Sequence, residues 1–458
     1  MVCASVLVST ALAAQAPVET PPALTLDRAI QYAIDHYPTV RAALEQVTSS
    51  SADTDVARGA YLPRLDSLWQ SNRGTVNNVF GQLLPQSVIP AMSGPVLSSA
   101  STQSVWGSAT GAMFSWEPFD FGLRGAGVAG AEAALARARA GETLTRLEVA
   151  SGVAVAFLNL VAAQRAVAAA QADVDRRDVL RRMVQTLVDN QLRPGADASR
   201  VAAERAAAQT HLIRAQQTVA VAEAILKRVM GVTIGSVTVA SDALIDRMPD
   251  GDIAGGVADA HPLAQMHQAE VDQARAQEDI LSRTDYPRFY LQSSVFARGS
   301  AANANGTLDG GVDGLGLDRA NWAAGVQIVF PNVFDFGTLR ARKTAASATT
   351  RAQAALRDDA VLSVTSEQQM AAAMLQAARA VAANTPIQLA AAQQNESLAR
   401  ARYDAGLTSL VEVADAESLL AQSEVQDQLA RVDVWRALLA AAAAQGDLTA
   451  FVNMARQP

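Results

Sequence analysis

The tetrapeptide Phe-Asp-Phe-Gly occurs twice, at residues 119–122 and 334–337. Each time an alternating apolar stretch runs into it and an Ala-rich, charged stretch leaves it. Other landmarks repeat in the same order. Pro38 in "HYP" precedes Pro63 in "YLPR" by 25 residues, and Pro262 in "AHP" precedes Pro287 in "DYPR" by 25. About 75 residues after each FDFG stands a turn signal, "LRPGADAS" around Gly195 and "YDAGLTSL" around Gly406. Ordered landmarks of this kind mark an internal duplication, so any structure for one half must also serve the other.

Within one copy the hydrophobic period changes twice. Residues 25–58 read as a helix that starts near Asp27 and leaves at Pro63. Strands follow. Trp322, Ala324, Val326, Ile328 and Phe330 fall on one face of an alternating segment, with Asn321, Ala323, Gly325 and Gln327 on the other. The predicted strands cover about 64–72 and 105–118 in the first copy, and about 288–298 and 321–332 in the second. Gly/Ser/Asn-rich loops join each pair. Beyond FDFG the composition becomes helical for nearly seventy residues, a length of about 100 Å at 1.5 Å per residue. Helices are predicted over about 123–190 and 196–231, and again over about 338–403 and 409–446. Val201, Ala208, Ala215, Ala222 and Val229 stand seven apart, and so do Leu212, Val219 and Leu226, although Arg205 breaks the second row. Such heptads with small Ala knobs suit close antiparallel packing. Pro386 is expected to kink or break the second outgoing helix.

Aromatic residues concentrate in the strand segments. Four of the five Trp and nine of the eleven Phe lie within 61–122 or 286–337. A soluble core would spread them through the chain, whereas alternating strands with aromatics near their ends suit a membrane β-barrel. The competing reading is a small soluble sheet. Four strands cannot close a barrel, and open sheet edges are not tolerated in lipid, so closure requires several chains. Three chains would supply twelve strands.

Other features exclude functions. Net charge is −8, which gives no reason to expect nucleic acid, a partner that usually calls for a basic face. One cysteine, Cys3, rules out a disulfide within the chain, and the four histidines are scattered. No metal, cofactor or catalytic constellation is expected. "GAGVAG" (Gly125, Gly127, Gly130) matches a dinucleotide-binding pattern. The helix after it is several times too long for that fold, however, and the second copy reads "RARKTA" there. Small residues at a crowded helix exit explain it better. "LDGGVDGLGLD" (308–318) reads as a loop rather than a calcium repeat. The stretch 149–164 is apolar for sixteen residues, short of a spanning helix, and is expected to be buried in a bundle. Residues 1–16 look like the apolar part and cleavage end of a secretory signal.

With its duplication, the "LP" before the first strand, the two FDFG turns, "VDNQLRPGADASRVAAERA" and "ARYDAGLTSLVEVADAESLL", the chain resembles the TolC-like outer-membrane efflux proteins from about 25 to 446. The resemblance implies a mainly α protein with membrane β structure. A duplicated helix–strand–strand–long helix–long helix unit would contribute four strands to a homotrimeric twelve-stranded barrel on a long α-helical periplasmic tunnel. Its parts would be a first repeat over 17–232, a linker over 233–250, a second repeat over 251–446 and a tail over 447–458. The partners implied are outer-membrane lipid, a periplasmic adaptor and an inner-membrane transporter, in the outer membrane of a Gram-negative bacterium. The implied function is a passive, non-enzymatic exit duct of a tripartite efflux system. The alternatives are the duct of a type I protein-secretion system and, in another class, a soluble periplasmic coiled-coil scaffold.

By the same resemblance, Glu412 and Asp415 match acids at a periplasmic constriction, and Tyr403 an aromatic that holds the tip closed. Thr408 stands where some members carry an arginine, which puts the closing network in doubt. Asp197 and Arg200 do not align cleanly with a gating acid. The residues themselves agree in part. Glu412 and Asp415 are three apart on one helical face, so three copies would make a ring of six carboxylates favouring cations. A solvated acidic helix start is the other reading. Pro194, Gly195, Gly406 and Leu407 are expected at the adaptor-facing tips. Phe119, Asp120, Gly122 and their counterparts Phe334, Asp335 and Gly337 are expected to join barrel to tunnel. Trp322, Val326, Ile328 and Phe330 are expected to face lipid.

Overall fold

A computed structural model describes residues 24–78, 81–90, 96–98, 100–192, 194–232, 239, 249, 251–253, 255–331 and 335–456. The signal-like segment 1–16, most of the linker 233–250, and Phe334 lie outside the described residues. The chain forms two compact units. One comprises Met1–Gln46, Arg139–His267 and Arg357–Pro458, the other Val47–Ala138 and Gln268–Leu356.

The second of these units contains a four-stranded antiparallel sheet in the order β1 (Arg64–Thr75), β2 (Ser104–Phe119), β3 (Arg288–Ser300), β4 (Arg319–Val329). The register sorts the side chains. Trp69 lies opposite Thr110, Trp116 opposite Leu291, Val295 opposite Trp322, and Leu291 opposite Val326. Leu65, Trp69, Trp116, Leu291, Val295, Trp322 and Val326 therefore share one face, and all of them are exposed. The other face carries Arg64, Asp66, Gln70, Asn72, Gln292, Ser294, Arg298, Asn321 and Arg319. An exposed apolar face backed by a polar one is the reverse of a soluble sheet. β1 and β4 have no strand neighbour on their outer sides among the described residues.

Helices account for most of the remainder. The single helix expected over 25–58 is two, α1 (Leu26–His36) and α2 (Pro38–Gly59). Tyr37 takes extended angles before Pro38, whose ring excludes the helical conformation from the preceding residue. α3 (Leu123–Asp189) and α4 (Gly195–Met230) complete the first copy. α5 (Pro262–Ser282), α6 (Phe336–Asp404) and α7 (Leu410–Gln445) recur in the second. α6 runs unbroken through Pro386. Neighbouring contacts hold the segment in place: Thr385 Oγ1 donates to the buried Asp427 at 3.0 Å, and Gln388 donates to Gln426 at 2.9 Å. Packing of this kind offsets the missing backbone bond.

The first unit is centred on the apolar middle of α3. Val153, Ala154, Phe157, Leu158, Leu160 and Val161 are buried there against α1, the end of α4 and Val432–Leu439 of α7. This α3 window is long and apolar enough to cross a membrane, yet half of it is covered by the protein itself. Arg205, which interrupts a heptad row, pairs with Asp178 of α3 at 3.1 Å. Part of the expected tail is α8 (Thr449–Arg456). Its Phe451 is fully buried, edge-on to Trp435 at 6.0 Å, and Arg456 reaches Asp27 of α1 at 3.1 Å.

Candidate functional site

The hairpin ends lie in the first unit. α3 and α6 end at Asp189 and Asp404, α4 and α7 begin at Gly195 and Leu410, and they end at Met230 and Gln445. Each of these pairs stands 215 residues apart, the same interval as Phe119 and Phe334. After α6 the Gly406 N–H donates to Tyr403 C=O, and Leu407 N–H to Arg402 C=O, both at 2.9 Å. Gly406 takes φ 72°, the left-handed conformation that this paired helix-ending motif requires. The first tip makes the same bonds, Gln191 N–H to Val188 C=O and Leu192 N–H to Leu187 C=O, both at 2.8 Å. Its left-handed residue is Gln191, φ 59°, not Gly195. Pro194 instead caps α4, and Gly195 is the first residue of that helix. The apolar residues exposed at the two tips are Leu192 and Leu407.

Just inside the second tip, Glu412 and Asp415 are exposed on the first turns of α7. Arg402 of α6 lies 4.0 Å from Glu412, across the turn. The 215 interval sets Asp197 against Glu412 and Arg200 against Asp415, and Arg200 pairs with Glu204 at 3.0 Å. The acidic pair is thus a property of the second copy. Tyr403 is buried with Leu180, Val184, Val201, Leu410 and Val413, tying the ends of all four long helices together. The buried Thr408 hydroxyl oxygen has no hydrogen-bond partner among the described residues. Further from the tip, Arg176 of α3 makes a two-pronged bond to Glu424 of α7, at 3.0 and 2.8 Å.

The joints lie in the other unit. Asp120, buried directly after β2, accepts the Gly122 N–H at 3.1 Å and the Arg124 N–H at 2.6 Å. The Arg124 guanidinium reaches the same carboxylate at 3.0 Å and stacks over Tyr61 at 4.9 Å. Burial pushes the Asp120 carboxyl pKa up, but these donors outweigh it and hold the pKa below the ordinary value. Phe121 and Gly122 are both left-handed, φ 52° and 85°. A Cβ on Gly122 would stand 2.8 Å from the Arg283 guanidinium, which itself donates to Phe121 C=O. Phe119, Phe121, Phe289 and Tyr286 form a ring cluster with centroids 4.7–6.2 Å apart. The second joint has another geometry. Gly337 lies inside the first turn of α6 without positive φ, and Asp335 precedes that helix. Inside α3, Gly125 and Gly130 give room to Tyr61 and Ile280, where added Cβ atoms would stand 3.4 and 3.0 Å away.

Trp322, Val326, Ile328 and Phe330 are all exposed, Trp322 to 78 %. Phe330 lies one residue beyond β4.

Sequence reading missed Gln191, the Arg402–Glu412 pair and a buried carboxyl at Glu417. Exact application of the 215 interval finds the first, but the others depend on contacts across helices.

A family profile described as outer membrane efflux protein matches residues 29–232 and 258–447. No curated protein sequence matches the chain. Solved structures share its fold, three of them as follows. VceC of Vibrio cholerae is 19% identical over 92% of this chain and 96% of its own, with a TM-score of 0.73. The CmeC channel of Campylobacter jejuni is 14% identical over 94% and 89%, at 0.74. The open state of MtrE of Neisseria gonorrhoeae is 20% identical over 92% and 89%, at 0.73. Because the profile spans both halves of the duplication, the chain belongs to the outer membrane efflux protein family, whose members are non-enzymatic channels of the outer membrane.

Proposed function

We propose that the chain is the outer-membrane exit duct of a tripartite efflux system that passes small molecules outward. Three copies would close a twelve-stranded barrel, and an adaptor and an inner-membrane transporter would engage the tips around Pro194, Gly195, Gly406 and Leu407. The observation that carries this reading is the sheet: four strands with an exposed apolar face, a polar reverse and two edges that have no strand neighbour among the described residues. A lipid-exposed sheet must pair its edges, and identical chains supply matching ones. The Glu412–Asp415 pairs would then stand as a ring around the periplasmic entrance, with Tyr403 packing the helix ends behind them.

The test joins assembly to cargo. Membrane fractionation with crosslinking is expected to recover an outer-membrane trimer, and recovery of a soluble monomer would overturn the duct. Deleting the gene is expected to sensitise cells to small toxic compounds. Loss of one secreted protein with unchanged compound tolerance would assign the duct to type I secretion instead.

A further inference from the structure

Glu417 lies two turns into α7 and is fully buried. Neither of its carboxyl oxygens has a hydrogen-bond partner among the described residues. An ionised carboxylate in that position is costly, whereas a neutral one costs far less.

The charged groups around it are already matched with one another. From α3, Asp173 bonds Arg177 at 3.1 Å. Arg177 also reaches Glu204 of α4 at 3.5 Å, and Glu204 in turn holds Arg200. From α6, Arg400 reaches Glu396 at 3.4 Å. Three arginines thus balance three carboxylates, and an ionised Glu417 would add an unmatched negative charge. Burial raises the Glu417 pKa. Arg177 and Arg400 pull it down less strongly, while Glu396 and Asp173 add to the rise. Glu412 and Asp415 face solvent on the same helix, while Glu417 points into the bundle, so the two acidic features are separate devices.

We propose that Glu417 is a proton-operated latch on the helix ends: uncharged while α7 packs against α3 and α6 as it does here, and charged once α7 moves away and water or the two arginines reach it. The proposal rests on the exit-duct reading, because parting of these ends is what would admit cargo. The sign follows from linkage. The packed state holds the proton more tightly than the parted state. Below the parted-state pKa both states are protonated and the packed arrangement keeps its full advantage. That advantage shrinks as pH rises toward the packed-state value.

The test combines hydrogen–deuterium exchange of residues 396–420 with single-channel recording, from pH 5 to 9, in wild type and Glu417→Gln. Exchange is corrected for its intrinsic pH dependence. In wild type, opening is expected to grow with pH by up to about tenfold per unit for each chain. In Glu417→Gln both readouts should be flat and closed, while Glu412→Ala with Asp415→Ala should keep the pH response. A wild-type response that survives in Glu417→Gln, or a flat wild-type profile, overturns the latch. Glu417-dependent exchange without any channel current would instead count against the duct. Should Glu417→Gln fail to assemble, Glu417→Met carries the same expectation.

Discussion

At the scale of single residues, the two copies reach the same backbone with different side chains. Gln191 adopts the left-handed turn conformation that Gly406 adopts, at a cost glycine would not incur. Gln191→Gly is expected to raise stability by about 1 kcal/mol, read as an upward shift in thermal unfolding. Asp120 gathers two helix-start N–H groups and a guanidinium, so Asp120→Ala should cost about 1–3 kcal/mol. Its pKa is depressed on folding. The stabilisation is therefore present above the unfolded value near 3.8 and lost as pH falls through the folded one. A pH titration of unfolding should show wild type losing its advantage over Asp120→Ala only in acid. At the tip, Glu412→Ala with Asp415→Ala should weaken cation block of single-channel current, and unchanged block would leave these acids as solvated helix starts.

At the scale of elements, what the sequence showed depended on how local the cause was. The long helices were legible because Ala-rich composition and heptads act within one segment. Their ends, 215 apart in both copies, follow from turn chemistry a few residues long. The break at Pro38 and the continuity through Pro386 could not be separated by sequence, because each is a proline in a helical pattern. Pro386 is carried by Thr385 and Gln388 bonding to α7, partners some 40 residues away along the chain. The last residues read as a tail, since eight residues make a poor helix alone; Phe451 burying itself against Trp435 makes that helix worthwhile. Phe451→Ala is expected to destabilise by about 3–5 kcal/mol, and limited proteolysis should then release residues beyond 446.

At the scale of the whole molecule, an outer membrane efflux protein must present apolar strand faces to lipid while keeping its paired helices in water. The exposed apolar side chains of β1, β3 and β4 are a liability for an isolated chain and an asset in a bilayer. Trp322→Asp places a charge at the most exposed aromatic of that face. It is expected to cut the yield of heat-resistant, membrane-inserted oligomer severalfold; normal amounts would show that this face does not meet lipid.

The duplication, the strand alternation and the aromatic clustering are one-dimensional patterns. They were enough to determine the duplicated order of strands and long helices, the two sheet faces and the family, but not the break before Pro38 or the short last helix. Side-chain pairing across helices is not a pattern along the chain. Nothing near Glu417 in sequence announces that α3 and α6 will bury it beside arginines already bound to other carboxylates, and Arg402, ten residues before Glu412, meets it only because the turn lays α7 back against α6. Those features were decided only when side chains from different helices were packed at the same level of the bundle, because burial and charge balance are properties of the surroundings rather than of the residue.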